Sequence, residues 1–209
     1  MVSIIIPVRE ENADLLVYKL EKLEEGSFCD FEVIIVDDCS PRHMENLGKF
    51  KFPYSILRLD DPTPYNMTVA RNRGADIARG EWIGFTDVDI SFSSDDMKSL
   101  LERTISNGSE VGIGCVKLPH GIHPGWKDGL TWFGVMTKSI FLRAGKFDEG
   151  FRGHYGWDDI LLHRALSKLT NFTYVDSIFA YCRRLDKGSA GGVDIETNRR
   201  KFLEIMRKG

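Results

Sequence analysis

Glu81-Trp82-Ile83-Gly84-Phe85-Thr86-Asp87-Val88-Asp89 decides how the rest of this chain is read. An apolar run of strand length stops at two carboxylates spaced i and i+2. On an extended backbone such a pair points to one side. Hard oxygen ligands so placed suit a Mg²⁺ or Mn²⁺ ion that also holds phosphate oxygens. Aspartates also end strands simply because they favour turns. The tripeptide alone leaves both readings open, and the surrounding chain has to choose.

Upstream lie two more apolar runs, Val2 to Val8 and Phe31 to Val36, without the alternation of a half-exposed strand. Such runs are expected of strands covered on both faces. Pro7 cannot donate to a ladder, which predicts that the first strand ends there. Asn12 or Asp14 is placed to cap a helix carrying Leu15, Leu16, Tyr18, Leu20 and Leu23. Tyr54 to Leu59 is a third strand, and Thr68 to Ala78 has helical character, closed by Gly80 as a C′ glycine. Beyond the opening stretch, Ser94-Asp95-Asp96 caps a helix reaching about Ser106, before a strand from Glu110 to Leu118. This alternation predicts an α/β fold with a mainly parallel sheet and helices on both faces. Ligands in such sheets bind beyond the carboxyl ends of the strands. Polar clusters stand at those ends: Pro7-Val8-Arg9-Glu10, Asp37-Asp38 and Asp87-Val88-Asp89.

The second half is less regular. Pro119 to Trp126 is a loop rich in turn residues, long enough to be functional. Ser139 to Ala144 reads as a short helix, and Trp157 to Leu169 as a longer one with Asp158 and Asp159 in its first turn. Thr173 to Tyr181 alternates as a strand does, Asp186 to Val193 is a glycine-rich and mobile loop, and Ile195 to Lys208 is a charged amphipathic helix. No repeat or linker divides residues 1–209, which predicts one domain.

Composition narrows the partners. The chain has 209 residues, 42% hydrophobic and 28% charged, with a net charge of −3. That is ample for a core, and nothing basic enough stands out to indicate nucleic acid. No apolar run approaches the roughly 20 residues that span a bilayer. The first residues lack a positive leader and cleavage site, so a cytoplasmic protein without a transmembrane segment is expected. Cys29, Cys39, Cys115 and Cys182 show no CxxC spacing, which argues against zinc and for free buried thiols.

Taken together, SIIIPVRE (3–10), EVIIVDDCS (32–40), ARNRGADIARGEWIGFTDVD (70–89) and GKFDEGFRGHYGWDD (145–159) resemble nucleotide-sugar glycosyltransferases of the GT-A fold, family 2. The stretch from Phe85 to Leu166 is also similar to the galactosyltransferase group with a DVD motif and a later Trp-Gly-Trp-Gly-Gly-Glu-Asp segment. The resemblance implies a Rossmann-like domain with a nucleotide-binding half (1–118) and an acceptor-side half (119–209). It implies inverting transfer of a sugar from a UDP-sugar to a saccharide or other hydroxyl acceptor, assisted by Mn²⁺ or Mg²⁺.

Residue by residue, Pro7, Val8 and Arg9 match the segment lining the nucleotide pocket, although Arg9 fits a solvated arginine equally well. Asp38, or its neighbour Asp37, matches the uracil-binding aspartate. Arg71 matches a nucleotide-binding position and suits bidentate phosphate contact, whereas Arg73 should face elsewhere. Asp87 is implied at ribose or metal, and Asp89 at the metal bridging the diphosphate. Asp158 matches the catalytic base, with Trp157 in place of the glutamate that precedes it in the family. Asp159 stays open as an alternative base, and both acids would in any case favour a helix N-terminus. Trp157 is implied to stack on a sugar, unless it is core.

Three departures or loose ends remain. Relatives carry a metal-binding histidine after the last strand, where this chain reads Tyr181-Cys182-Arg183-Arg184, two arginines able to offset diphosphate charge. His120 and His123 read as surface or acceptor-side histidines, His154 as close to the acceptor, and His163 as a partner of Asp159. A nucleotidyltransferase of similar architecture is a second reading, but it wants a glycine-rich loop after the first strand. A silent sugar-nucleotide-binding module is a third, motivated by Trp157 and Cys182.

Overall fold

In chain order the elements are β1 (Val2–Val8), α1 (Ala13–Glu24), β2 (Phe31–Asp37), β3 (Tyr54–Arg58), α2 (Met67–Ile77), β4 (Trp82–Phe85), β5 (Ile90–Ser91), α3 (Ser94–Ser106), β6 (Val111–Leu118), β7 (Gly121–His123), β8 (Gly134–Thr137), α4 (Lys138–Arg143), α5 (Asp158–Ser167), β9 (Phe172–Cys182) and α6 (Ile195–Lys208). The computed structural model describes residues 1–9, 12–45, 47–63, 65–118, 121–123, 129–154, 156–183 and 195–208. Across the sheet the strands run β3-β2-β1-β4-β8-β6-β9-β5, with β7 beside β6. The pairs β3-β2, β2-β1, β1-β4 and β6-β9 are parallel, while β8 and β5 run against their neighbours. The α/β architecture expected from strand-helix alternation is therefore present, mostly parallel as anticipated.

Side-chain alternation explains why helices cover both faces. Val2, Ile4 and Ile6 of β1 and Val33 and Ile35 of β2 pack with Leu16, Leu20 and Leu23 of α1 and with Met97 and Leu100 of α3. Their neighbours Ile5, Ile34 and Val36 point the other way, onto Val69, Ala70 and Ala75 of α2, Ile140 and Phe141 of α4, and Leu162 and Leu166 of α5. Gly74 lets α2 sit close to the sheet, since a Cβ there would lie 2.5 Å from Ile5 Cγ2.

Several local expectations are corrected. Pro7 does not end β1; it pairs with Val36 inside the strand. The Val8 carbonyl accepts from Asp38 on the β2 side, and the Ile5 carbonyl accepts from Thr86 on the β4 side. Backbone groups of a parallel strand alternate between neighbours, so Pro7 turns its missing donor toward β4, which has already stopped. Gly80 is not a left-handed cap, because α2 closes at Ala78 in an extended conformation. A Cβ on Gly80 would instead meet Ser3 N and Trp82 O at 2.7 Å. The cap of α3 is Ser93, which exchanges hydrogen bonds with Asp96 in a capping box.

The loop expected from 119 to 126 contains β7, whose Ile122 pairs with Lys117. His123 belongs to that strand, and His120 and Trp126 lie outside the described residues, as does the glycine-rich stretch 186–193. Of the cysteines, Cys115 is buried but Cys29 is exposed. Among the described residues no helix is long and apolar enough to cross a membrane.

Candidate active site

The strand ends of β1, β2 and β4 open onto one region, and the two adjacent aspartates after β2 fare differently there. Asp37 is committed to structure: Oδ1 accepts from Ser40 N at 2.9 Å, and Oδ2 accepts from Arg58 Nη1 at 2.9 Å. Asp38, 2% exposed, has Oδ2 near Asn66 N at 3.4 Å. Its Oδ1 is buried without a partner among the described residues. Burial pushes the Asp38 carboxyl up to about 6, against the opposing pull of the Arg9 charge and the Asn66 amide. Pro7 and Val8 are buried beside it and Arg9 is half-buried.

After β4 the chain does not stay extended. Ile90 N donates to the Asp87 carbonyl at 3.1 Å, so Asp87-Val88-Asp89 lies in a turn. The two acids are therefore presented by a turn, not by the pleat of an extended strand as expected. Both carboxylates are half-buried. The Asp89 carbonyl accepts from Arg183 N at 2.8 Å, and the Arg183 guanidinium stacks over the Tyr18 ring at 4.0 Å. Arg184 lies outside the described residues.

Arg71 differs most from the phosphate-facing arginine that resemblance implies. Its side chain is 6% exposed and its guanidinium is shared between two acids. Nη2 donates to Asp87 Oδ1 at 2.8 Å, and Nη1 donates to Asp158 Oδ2 at 3.0 Å. Burial works against its charge, but the carboxylates of Asp87, Asp158 and Asp159 outweigh it and hold the guanidinium above its usual range. The next residue, Asn72, donates to the Phe147 carbonyl at 3.0 Å and to Glu149 Oε1 at 3.1 Å, and accepts from Phe147 N. One turn of α2 thus ties the strand-end turn to the segment leading into α5. Arg73 faces away, 3.6 Å from Asp76.

The entry to α5 is a sharp bend. Gly156 and Trp157 both have left-handed backbones, with φ of 80° and 74°. For a tryptophan that conformation costs about 1–2 kcal/mol. It sets Asp158, 12% exposed, at the helix start, where a negative charge is favourable. The Trp157 ring lies against Phe202 of α6, centroids 5.0 Å apart. Asp159 is half-buried and its Oδ1 accepts from Ile160 N at 2.8 Å. His163 Nε2 is 3.0 Å from Tyr174 Oη, and His154 is half-buried ahead of the bend. Opposite, the Tyr65 carbonyl accepts from Gly153 N, and Arg152 pairs with Asp61 at 3.3 Å.

Residues beyond those expected also build this site. Asn198 of α6, 1% exposed, donates to the carbonyls of Phe151 and Gly156, each at 3.1 Å. Lys19 of α1 is fully buried and donates to Thr86 Oγ1 at 2.8 Å. Its ammonium is pushed down to about 7 by burial, against the pull of Asp87 and Asp89. A signal for Lys19 exists in the sequence, since it occupies the apolar stripe of Leu16, Leu20 and Leu23.

The glycosyl transferase family 2 profile matches residues 3–154. Over its whole length the chain is 33% identical to an uncharacterized glycosyltransferase of Haemophilus influenzae, covering 76% of that protein. It is also 33% identical, over 75% of its length, to the amylovoran biosynthesis glycosyltransferase AmsB of Erwinia amylovora, covering 61% of it. Staphylococcus aureus TarS, solved with UDP-GlcNAc, superposes on 99% of the chain with a TM-score of 0.76 at 16% identity, the chain spanning 64% of it. The mannosyltransferase PcManGT of Pyrobaculum calidifontis, solved with GDP-Man and Mn²⁺, gives 0.73 over 100% of the chain, again at 16% identity and 64% of its length. At such identity the two structures speak for a shared GT-A fold alone. By profile and relatives, the chain is a glycosyltransferase and belongs to glycosyl transferase family 2.

Proposed function

We propose that this chain moves a sugar from a UDP-sugar to a saccharide or other hydroxyl acceptor with inversion at the anomeric carbon. The observation that carries the reading is Arg71, which joins Asp87 of the strand-end turn to Asp158 at the start of α5. That bridge brings a diphosphate-side acid and a proton acceptor to one place, as transfer requires. The buried Oδ1 of Asp38, without a partner among the described residues, suits the N–H of a uracil ring, with Pro7, Val8 and Arg9 alongside. The neighbours solved with UDP-GlcNAc and UDP support a nucleotide-sugar donor.

In the reaction, the acceptor oxygen attacks the anomeric carbon as the bond from that carbon to the diphosphate oxygen breaks. Asp158 takes the acceptor proton, and UDP departs. Asp159 remains the alternative base, and Trp157 an acceptor-side aromatic whose ring already packs on Phe202. Among the described residues no group of three or more His, Cys, Asp or Glu could hold a metal by itself. The hard carboxylates of Asp87 and Asp89 would hold a Mn²⁺ or Mg²⁺ ion in company with diphosphate oxygens. Such an ion, when bound, neutralises charge growing on the leaving group.

We read residues 1–209 as one transferase domain, nucleotide-binding in 1–118 and acceptor-side in 119–209. The galactosyltransferase-like second half belongs to this proposal.

Asp158→Asn tests the assignment, because the amide oxygen can still accept from Arg71 while no longer taking a proton. Transfer should be abolished, with UDP affinity by calorimetric titration unchanged within about twofold. Full activity in that variant removes Asp158 from the mechanism.

A further inference from the structure

One ionisable side chain at the floor of the site has no part in the chemistry above. Lys19 lies on the buried face of α1, with no exposed surface. Its ammonium donates to Thr86 Oγ1 at 2.8 Å, to the Asp87 carbonyl at 3.2 Å and closely to the Ile90 carbonyl. It also stands over the Phe92 ring, 4.7 Å from the centroid. These acceptors bracket the acidic turn: Thr86 opens it, Asp87 begins it and Ile90 closes it. The turn is also held by the bond from Ile90 N to the Asp87 carbonyl, by Arg183 N on the Asp89 carbonyl and by Arg71 on the Asp87 carboxylate.

A methionine or leucine at this position would extend the apolar stripe without the several kcal/mol of burying an ammonium. The ammonium therefore does something that apolar packing cannot. Its donors bind the Thr86 hydroxyl and the carbonyls of Asp87 and Ile90, fixing the turn's backbone before any ligand arrives. Metal ligands depend on such outer partners for their orientation.

We propose that Lys19 is the positioning residue of the Asp87–Asp89 turn, preorganising both carboxylates for a cation shared with a diphosphate. The proposal rests on the donor-site reading above. Lys19 touches neither substrate nor reacting atoms; it acts through the turn it holds.

The test uses the full chain with Lys19→Met, unbranched and similar in length. UDP binding is titrated calorimetrically without metal and with Mn²⁺, and the ratio of the two affinities is the readout. In the wild type Mn²⁺ should strengthen UDP binding. In Lys19→Met the metal-free affinity should stay within about twofold while the enhancement falls about tenfold, the loss typical of removing an outer partner of metal ligands. A purely structural lysine would weaken both affinities together or neither, and either result overturns the proposal.

Should Lys19→Met not fold, Thr86→Val removes one acceptor of the ammonium and leaves α1 intact. Its enhancement should fall about threefold, a fraction of that outer-partner effect, and an unchanged ratio overturns the proposal. The two ideas fail separately. A wild type whose UDP binding ignores Mn²⁺ removes the donor-site metal and Lys19's role with it. Wild-type enhancement that survives intact in folded Lys19→Met removes Lys19's role alone.

Discussion

Replacing Arg71 with methionine should unsettle the site more than the loss of one surface-like ion pair would. Its two hydrogen bonds, 2.8 Å to Asp87 and 3.0 Å to Asp158, are both charge-assisted. Each such bond contributes about 1.5–3 kcal/mol, and removing one partner of a buried pair costs about 3–5 kcal/mol. Asp87 retains 25% side-chain exposure and regains some hydration, whereas Asp158 at 12% regains little. The lower part of that range applies, about 3 kcal/mol. For a chain of this size, each kcal/mol moves Tm by about 2–4 °C, so Arg71→Met should melt about 6–12 °C lower in scanning calorimetry. The cause is separable by a mutant cycle. With Asp87→Asn and Asp158→Asn already present, no carboxylate is orphaned, and adding Arg71→Met should cost less than about 1 kcal/mol. A drop below about 2 °C in the wild-type background would refute the bridge. An equal drop in both backgrounds would assign the cost to lost packing on Phe147, 5.3 Å from the guanidinium, rather than to stranded charge.

Two further perturbations address the nucleotide end and the base loop. The Asp38 carboxyl, raised to about 6 from an ordinary 3.8, holds its proton more tightly folded than unfolded. Its contribution to stability is complete below the unfolded value and is lost as pH rises through about 6. Asp38→Asn should therefore melt above the wild type at pH ~7.5 but not at pH ~4, while losing about tenfold in UDP affinity at neutral pH; a Tm gap independent of pH contradicts this. Asn198→Ala removes the 3.1 Å bonds to the Phe151 and Gly156 carbonyls, which hold the bend ahead of Asp158. It should lower kcat about tenfold or more through misplacement of the proposed base Asp158, with the Kd for UDP unaltered, and an unchanged kcat excludes that role for α6.

The parts of this fold visible in the sequence are those decided by local pattern. β1 and β2 read as buried parallel strands because their apolar runs do not alternate with polar residues, and the ends of β1, β2 and β4 point to the candidate site through Arg9, Asp38 and Asp87. What stayed hidden depends on partners far along the chain. β8 is a four-residue strand whose place between β4 and β6 is set by pairing across some fifty residues. Asp37 and Asp38 look alike in sequence, and the reach of Arg58 from β3 with the turn amide of Ser40 commits the first to structure while Asp38 Oδ1 has no partner among the described residues. Likewise Arg71 carries the right chemistry for phosphate, but its fork is filled by acids 16 and 87 residues away.

That filled fork changes how a donor must bind. Asp87, Asp89, Asp158 and Asp159 all act on Arg71 or Lys19, so these two cations are already engaged by acids before any ligand arrives. A nucleoside diphosphate would add further negative charge beside Asp87, in surroundings where water screens poorly. Arg71 cannot turn toward a phosphate without releasing Asp87 or Asp158, and releasing Asp158 disorganises the proposed base. A proposed donor that brings its own positive charge would enter with both acids in place. On this proposal a divalent ion would enter as a companion of the nucleotide, with Arg71 keeping Asp87 and Asp158 together until both arrive.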